Sequence, residues 1–156
     1  MALISDNSSF VISGIEIKNR SWSNTTGLIQ GVTTITSSNE AKKDFNGFQN
    51  TQSIAEYTHA SAAYECTVTQ FKNGQMGYLA SVGEWMEIIN NLDEINRCMS
   101  LIDGLDIDEG ATSYWTSTQY NYEKAWLVAY NGNEFYPNDE RKGVSFYAIR
   151  VISQLI

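Results

Sequence analysis

Between Tyr114 and Val151 the chain runs Tyr-Trp-Thr-Ser-Thr, then Lys-Ala-Trp-Leu-Val-Ala-Tyr-Asn-Gly-Asn, then Tyr-Ala-Ile-Arg-Val. Short apolar runs separated by stretches crowded with Tyr, Asn, Asp and Glu have the form of strands whose turns are left to water. The period of two holds from an acidic loop, Asp103 to Gly110, to the C-terminus, and predicts a four-strand antiparallel arrangement. Asn131-Gly132 predicts a two-residue hairpin, because both turn positions need positive φ. Pro137 removes a ladder donor, so the strand around Phe135 and Tyr136 is expected to be an edge or to end there.

Helical spacing occurs only in the middle of the chain. Ile54, Tyr57, Ser61 and Tyr64 predict a helix from about Thr51 to Tyr64, with Asn50 or Ser53 as N-cap. Ser81-Val82-Gly83-Glu84 is a capping box, and Trp85, Ile88, Ile89, Leu92, Ile95 and Met99 continue it as one apolar stripe. Asn90, Asn91, Asp93, Glu94 and Arg97 then face outward. Residues 8 to 35 have no helical period. Ile15-Glu16-Ile17-Lys18 alternates as a strand does, and Leu28-Ile29 with Val32 marks a second strand region. The Ser/Asn/Thr cluster Ser21 to Thr26 reads as a turn or linker, which divides the chain into an N-terminal strand or attachment segment, 1–25, and a domain, 26–156. The expected class is α+β, two helices packed on a twisted antiparallel sheet.

A chain of 156 residues with 42% hydrophobic side chains can bury one core. Its net charge of −8 and scattered basic residues exclude recognition of a phosphate backbone, so no nucleic-acid partner is expected. No run approaches the ~20 apolar residues needed to span a bilayer, so no membrane insertion is expected. The start Met-Ala-Leu-Ile-Ser-Asp has neither a basic n-region nor an apolar h-region. The expectation is a chain without its own export signal, or a fragment from which one was removed. Cys66 and Cys98 are read as buried thiols, with a bridge between them left open by spacing.

Four stretches resemble, in order, the C-type lectin-like domains of the formylglycine-generating-enzyme branch, a group that includes bacterial surface proteins and phage tail proteins. They are Asp44-Phe-Asn-Gly-Phe-Gln-Asn-Thr51; Ala62-Ala-Tyr-Glu-Cys66; Gly77-Tyr-Leu-Ala-Ser-Val-Gly-Glu-Trp85; and Tyr114-Trp-Thr-Ser-Thr118 with Ala125-Trp126 and Tyr147-Ala-Ile-Arg-Val151. The resemblance implies a C-type lectin-like fold. Trp85, Trp115 and Trp126 are expected in the core, and Arg150 in a structural hydrogen-bonded pair. In members diversified by retroelements, Asn, Tyr, Ser and Asp gather at binding positions late in the domain. Tyr120, Asn121, Tyr122, Tyr130, Asn131, Asn133, Tyr136, Asn138, Asp139 and Ser145 have that character. Tyr gives a rigid contact area with a polar tip, and Asn adapts its hydrogen bonding. The same residues also suit ordinary turns.

No catalytic chemistry is expected. His59, the only histidine, falls on a predicted helix with no matching Ser or Cys motif. No Cys or His lies at metal-ligand spacing, and Asp106, Asp108 and Glu109 lack the EF-hand order, so no metal and no cofactor are expected. The reactive cysteine pair of formylglycine-generating enzymes has no counterpart, since no cysteine follows Cys98. The leading expectation is a phage virion domain, at a tail or head fibre tip, binding a bacterial cell-surface receptor, protein or glycan. A homotrimer and other virion proteins are its expected partners. The alternatives are a bacterial surface adhesin or pilus-tip domain, located on the cell surface, and a structural virion decoration protein.

Overall fold

This computed structural model describes residues 1–5, 8–107 and 113–155, and in them nine strands and five helices form. In chain order they are β1 (Ala2–Ile4), β2 (Ser9–Ile12), β3 (Ile17–Arg20), α1 (Ser38–Ala41), α2 (Gly47–Tyr57), α3 (Ala62–Thr67) and β4 (Gly77–Leu79). There follow α4 (Val82–Asn90), α5 (Leu92–Leu101), β5 (Ser113–Gln119), β6 (Lys124–Tyr130), β7 (Phe135–Arg141), β8 (Tyr147–Ile149) and β9 (Val151–Gln154). One sheet has the order β1-β2-β9-β4, the other β3-β8-β5-β6-β7. The α+β class is as expected. Two helices become five, however, and one sheet becomes two.

The late strands depart from a simple meander. β5, β6 and β7 are antiparallel neighbours, but β8 lies parallel to β5 and β9 crosses to the other sheet, between β2 and β4. Arg150 sits at the crossing. Fully buried, its guanidinium donates to the Ser13 carbonyl (3.1 Å), Leu105 carbonyl (2.9 Å) and Asp106 carbonyl (3.0 Å), and pairs with Glu16 (2.6 Å). Glu16 also accepts from the Tyr114 hydroxyl. Arg150 is thus the structural pair expected of it, and it fixes where the strand changes sheets. Residues 1–25 supply β1, β2, β3 and the buried Trp22, whose indole N–H donates to the Thr116 carbonyl (2.7 Å). Ile15 and Glu16 precede β3 rather than belonging to it, and the region Leu28 to Val32 is not a strand. Ile29 is held there because its N–H donates to the buried Gln119 side chain (3.1 Å).

Both predicted helices are broken in two. α2 starts before Thr51 and stops at Tyr57, because Thr58 turns to extended backbone (φ −151°) and donates its hydroxyl to Asn24 (3.0 Å). His59 therefore lies in the break, stacked 4.2 Å from the Tyr64 ring, and Ser61 caps α3 by accepting from the Tyr64 N–H (3.1 Å). The capping box opens α4 as expected, with the Ser81 N–H donating to the Glu84 carboxylate (2.8 Å). The stripe buries Trp85, Ile88, Ile95 and Met99, but the helix bends at Asn91 (φ −117°, ψ 20°) into α5. Cys66 is a buried free thiol and Cys98 a half-buried one, so no bridge joins them.

The middle of the second sheet, β5 and β6, is buried on both sides. One face, with Tyr114 and Val128, packs with Trp85, Ile88, Ile95 and the apolar residues of the first sheet. The other, with Trp115, Leu127 and Ile149, packs under Ile54, Ala62, Ala63 and Trp22. Trp126 fills a smaller core with Ala41 and Val82. These layers are tied together by one buried carboxylate, Asp44, which is 3% exposed. It accepts from the Thr33 hydroxyl (3.2 Å), the Asn46 N–H (2.9 Å), the Asn50 amide (3.0 Å) and the Thr118 hydroxyl (2.7 Å). Its main-chain carbonyl accepts from the Ser81 hydroxyl (2.6 Å) and the Gly83 N–H (2.9 Å).

Removing that carboxylate leaves the Asn46 N–H and the Thr118 hydroxyl without an acceptor, and leaves the Thr33 hydroxyl and the Asn50 amide to Asn50 Oδ1 (3.1 Å) and Ser117 Oγ (3.4 Å). An unsatisfied buried donor costs about 1–3 kcal/mol. Asp44→Ala should therefore lose roughly 3–5 kcal/mol in urea unfolding. Gly83→Ala should also destabilise, although Ala is ordinarily better in a helix by about 1 kcal/mol. A Cβ there would collide with the Asp44 carbonyl oxygen.

Burial pushes the Glu84 carboxyl up to about 7, against the hydrogen bonds from Ser81 and Tyr78 that favour its charged form. The folded state therefore holds this proton more tightly than the unfolded chain does. The resulting stability is complete below the ordinary glutamate range and is lost as pH rises through about 7. Denaturant midpoints followed from pH 5 to 8 should fall in the native protein, and fall less in Glu84→Gln.

Candidate functional site

The ten residues singled out for recognition do not form one patch. β6 is seven residues long. At ~3.4 Å per residue, its two ends lie roughly 20 Å apart. Tyr120, Asn121 and Tyr122 follow β5 at one end. Asn131 and Asn133 follow β6 at the other, next to Tyr130.

At the first end most of the polar capacity is spent internally. The Asn121 side-chain carbonyl accepts from the N–H groups of Glu123 (2.9 Å) and Lys124 (2.8 Å). Tyr120 lies edge-on to Trp126 at 5.1 Å, and Asp139 pairs with Lys124 (2.6 Å). Tyr122 is 56% exposed, while its carbonyl accepts from the Gly27 N–H (2.7 Å). Beneath this turn Lys142 is fully buried, donating to the Gly27 carbonyl (2.8 Å) and Gln119 (2.5 Å), 4.9 Å from the Trp22 ring centroid. Burial lowers this amine to about 8.

Along β7, Tyr136 and Asn138 share the face of Ala129 and Leu127. Tyr136 is exposed, Asn138 half-buried, and Ser145 donates to Glu140 (3.3 Å). β7 is an edge strand that continues through Pro137 to Arg141, since a strand with one neighbour tolerates a missing donor.

At the second end the residues meet a groove. Tyr130 pairs with Phe135, so the hairpin loop has four residues, 131–134, rather than two. Gly132 takes positive φ (97°) but Asn131 does not. The Asn131 side-chain carbonyl instead accepts from the N–H groups of Asn133 (2.9 Å) and Glu134 (3.0 Å). This loop faces the bend between α4 and α5 across a groove of about 570 Å³. That volume is within the range of small-ligand sites.

Ile89, Leu92, Ile107, Tyr130 and Phe135 give the groove its apolar surface. Asn90, Asn91, Asp93, Glu94, Asn96, Asn133 and Glu134 give it its polar one. Tyr130 and Asn133 are thus gathered there with Asn90, Asn91, Asp93 and Glu94, read from sequence only as the wet face of a helix. Two amides hold the far wall. Asn96 both donates to the Ile107 carbonyl (2.9 Å) and accepts from its N–H (2.8 Å), and Asn91 donates to the Glu87 carbonyl (2.8 Å). Among the described residues no three His, Cys, Asp or Glu side chains group as a metal site. Asp108 and Glu109 of the acidic loop lie outside the described residues.

No protein-family model matches this chain, and no curated protein does. In fold it is similar to a fimbrial protein from Bacteroides ovatus ATCC 8483, with a TM-score of 0.63 over 92% of this chain at 19% sequence identity. The chain spans about a third of that protein's length, 35%. At this identity the likeness is one of fold.

Asn131→Ala should free the hairpin loop without unfolding the domain. Amide hydrogen exchange at Asn133 and Glu134 should speed up by roughly tenfold or more, with core amides unchanged. Equal protection in the variant would show that the loop is held by something else.

Proposed function

We propose that the chain is a non-catalytic recognition domain of a bacterial surface adhesin of the fimbrial kind, with a C-type lectin-like α+β fold. The observation that carries the reading is the fold likeness to a fimbrial protein over 92% of the chain. It favours the cell-surface expectation, and nothing in that neighbour favours a virion.

The ordered motifs behind the C-type lectin-like resemblance support the fold side of the proposal. Asp44 to Thr51 leads into α2, Ala62 to Cys66 lies in α3, and Gly77 to Trp85 runs from β4 into α4. Tyr114 to Thr118, Ala125 with Trp126, and Tyr147 to Val151 lie in β5, β6 and the β8–β9 crossing. The hairpin groove is the face offered to a partner, a protein or glycan on an opposing surface.

Antibody against the purified domain should label intact cells of the producing bacterium. Beads coated with the domain should adhere to target cells, and adhere less with Glu134→Lys. Label confined to permeabilised cells would overturn the surface reading. Label on purified phage particles would replace it with the virion one.

A further inference from the structure

We infer that the groove between the α4–α5 bend and the β6–β7 loop takes a basic peptide segment, an extended stretch with Lys or Arg beside an aliphatic side chain. The inference rests on the recognition reading above and adds the chemistry of the occupant.

Three carboxylates, those of Asp93, Glu94 and Glu134, belong to residues of the lining, and among the described residues no Lys, Arg or His lines it. Glu94 is engaged by Arg97 through two hydrogen bonds (3.1 and 2.5 Å), which hold its carboxyl below the usual range. Asp93 and Glu134 make no side-chain hydrogen bond or ion pair with another described residue. Both belong to a lining shared with the apolar Leu92, Ile107 and Phe135. A cation seated there displaces water beside low-dielectric surface, where its attraction to carboxylates exceeds that in bulk water.

An anionic ligand meets the same carboxylates and a chain of net charge −8, and is repelled. A neutral sugar satisfies the amides but leaves the one-signed rim unused. The side chains of Asn90 and Asn133 carry no hydrogen bond to another described residue, and each offers a donor and an acceptor to a peptide main chain. The first turn of α5 has no side-chain cap. Asp93 and Glu94 in that turn offset the positive end of the helix dipole, which would otherwise oppose a cation.

Isotope-labelled protein would be titrated with acetyl-Leu-Lys-Leu-Lys-amide, acetyl-Leu-Glu-Leu-Glu-amide and maltotriose, at low and high salt. The lysine peptide alone should shift the amide resonances of Asn90, Asp93, Asn133 and Glu134. Its affinity should fall roughly tenfold between about 25 and about 300 mM salt, as screening shortens the reach of the rim charges. Asp93→Asn with Glu134→Gln should cost a similar factor and leave thermal unfolding unchanged. Equal binding of the glutamate peptide, or undiminished binding to the double variant, would overturn the inference. Groove shifts with maltotriose and none with the lysine peptide would also overturn it, while leaving the groove a recognition site. Silence from all three probes in a protein whose beads still adhere would overturn it and move recognition to another face.

Discussion

A single carboxylate with only neutral donors around it holds this fold in register. Asp44 gathers the loop at Thr33, the start of α2 through Asn46 and Asn50, β5 through Thr118, and the start of α4 through Ser81 and Gly83. No basic side chain pairs with it among the described residues. A buried charge satisfied by four donors from three segments is stable only while all of them are in place, so the elements assemble around it together. The same network reaches the Val82 N–H, which donates to the Thr118 hydroxyl (3.0 Å), and beside Asn50 the Thr51 hydroxyl accepts from the Leu79 N–H (3.0 Å). Small residues follow from the crowding. Gly47 and Gly83 pass where a Cβ would strike Glu84 or the Asp44 carbonyl.

From that hub the groove is positioned by packing. α4 leaves Ser81 and lays Trp85 against Tyr114, with ring centroids 4.8 Å apart, so its far end is carried over the β5–β6–β7 hairpins. The bend at Asn91 then turns α5 while keeping Ile95 and Met99 in the same core as Ile88. One end of the hairpin sheet is thereby left facing a helix bend rather than a helix side. The groove is the space between them.

Local signals in the sequence survived into the structure where the interaction is itself local. Ser81 and Glu84 are three residues apart, and their capping box forms. The stripe from Trp85 to Met99 names the buried side correctly, yet it runs across the bend, because the apolar period resumes at Leu92 and Ile95 on the same side. The parallel pairing of β5 with β8 and the departure of β9 depend on Arg150 meeting Glu16 and the carbonyls of Ser13, Leu105 and Asp106, contacts 44 to 137 residues apart. No periodicity reports them. Asp44 and Lys142 were invisible for the same reason, since nothing beside them in the chain shows that they are buried.

Tyr and Asn richness was legible as composition, but composition does not say which side chains are free. Asn91, Asn96, Asn121 and Asn131 spend their amides on nearby backbone, fixing the helix bend, the Ile107 wall and both hairpin turns. Asn90 and Asn133 make no such bond to another described residue, and they stand on opposite sides of the groove in walls the others hold. For the partner proposed for this groove, those two classes of asparagine would contribute to affinity in different ways. The free ones offer hydrogen bonds to a partner, while the spent ones remove in advance the conformational entropy that loops would otherwise lose on binding. Substituting a spent asparagine should therefore weaken a partner through the mobility of the wall, and substituting a free one through a lost contact, even though both change the same functional group.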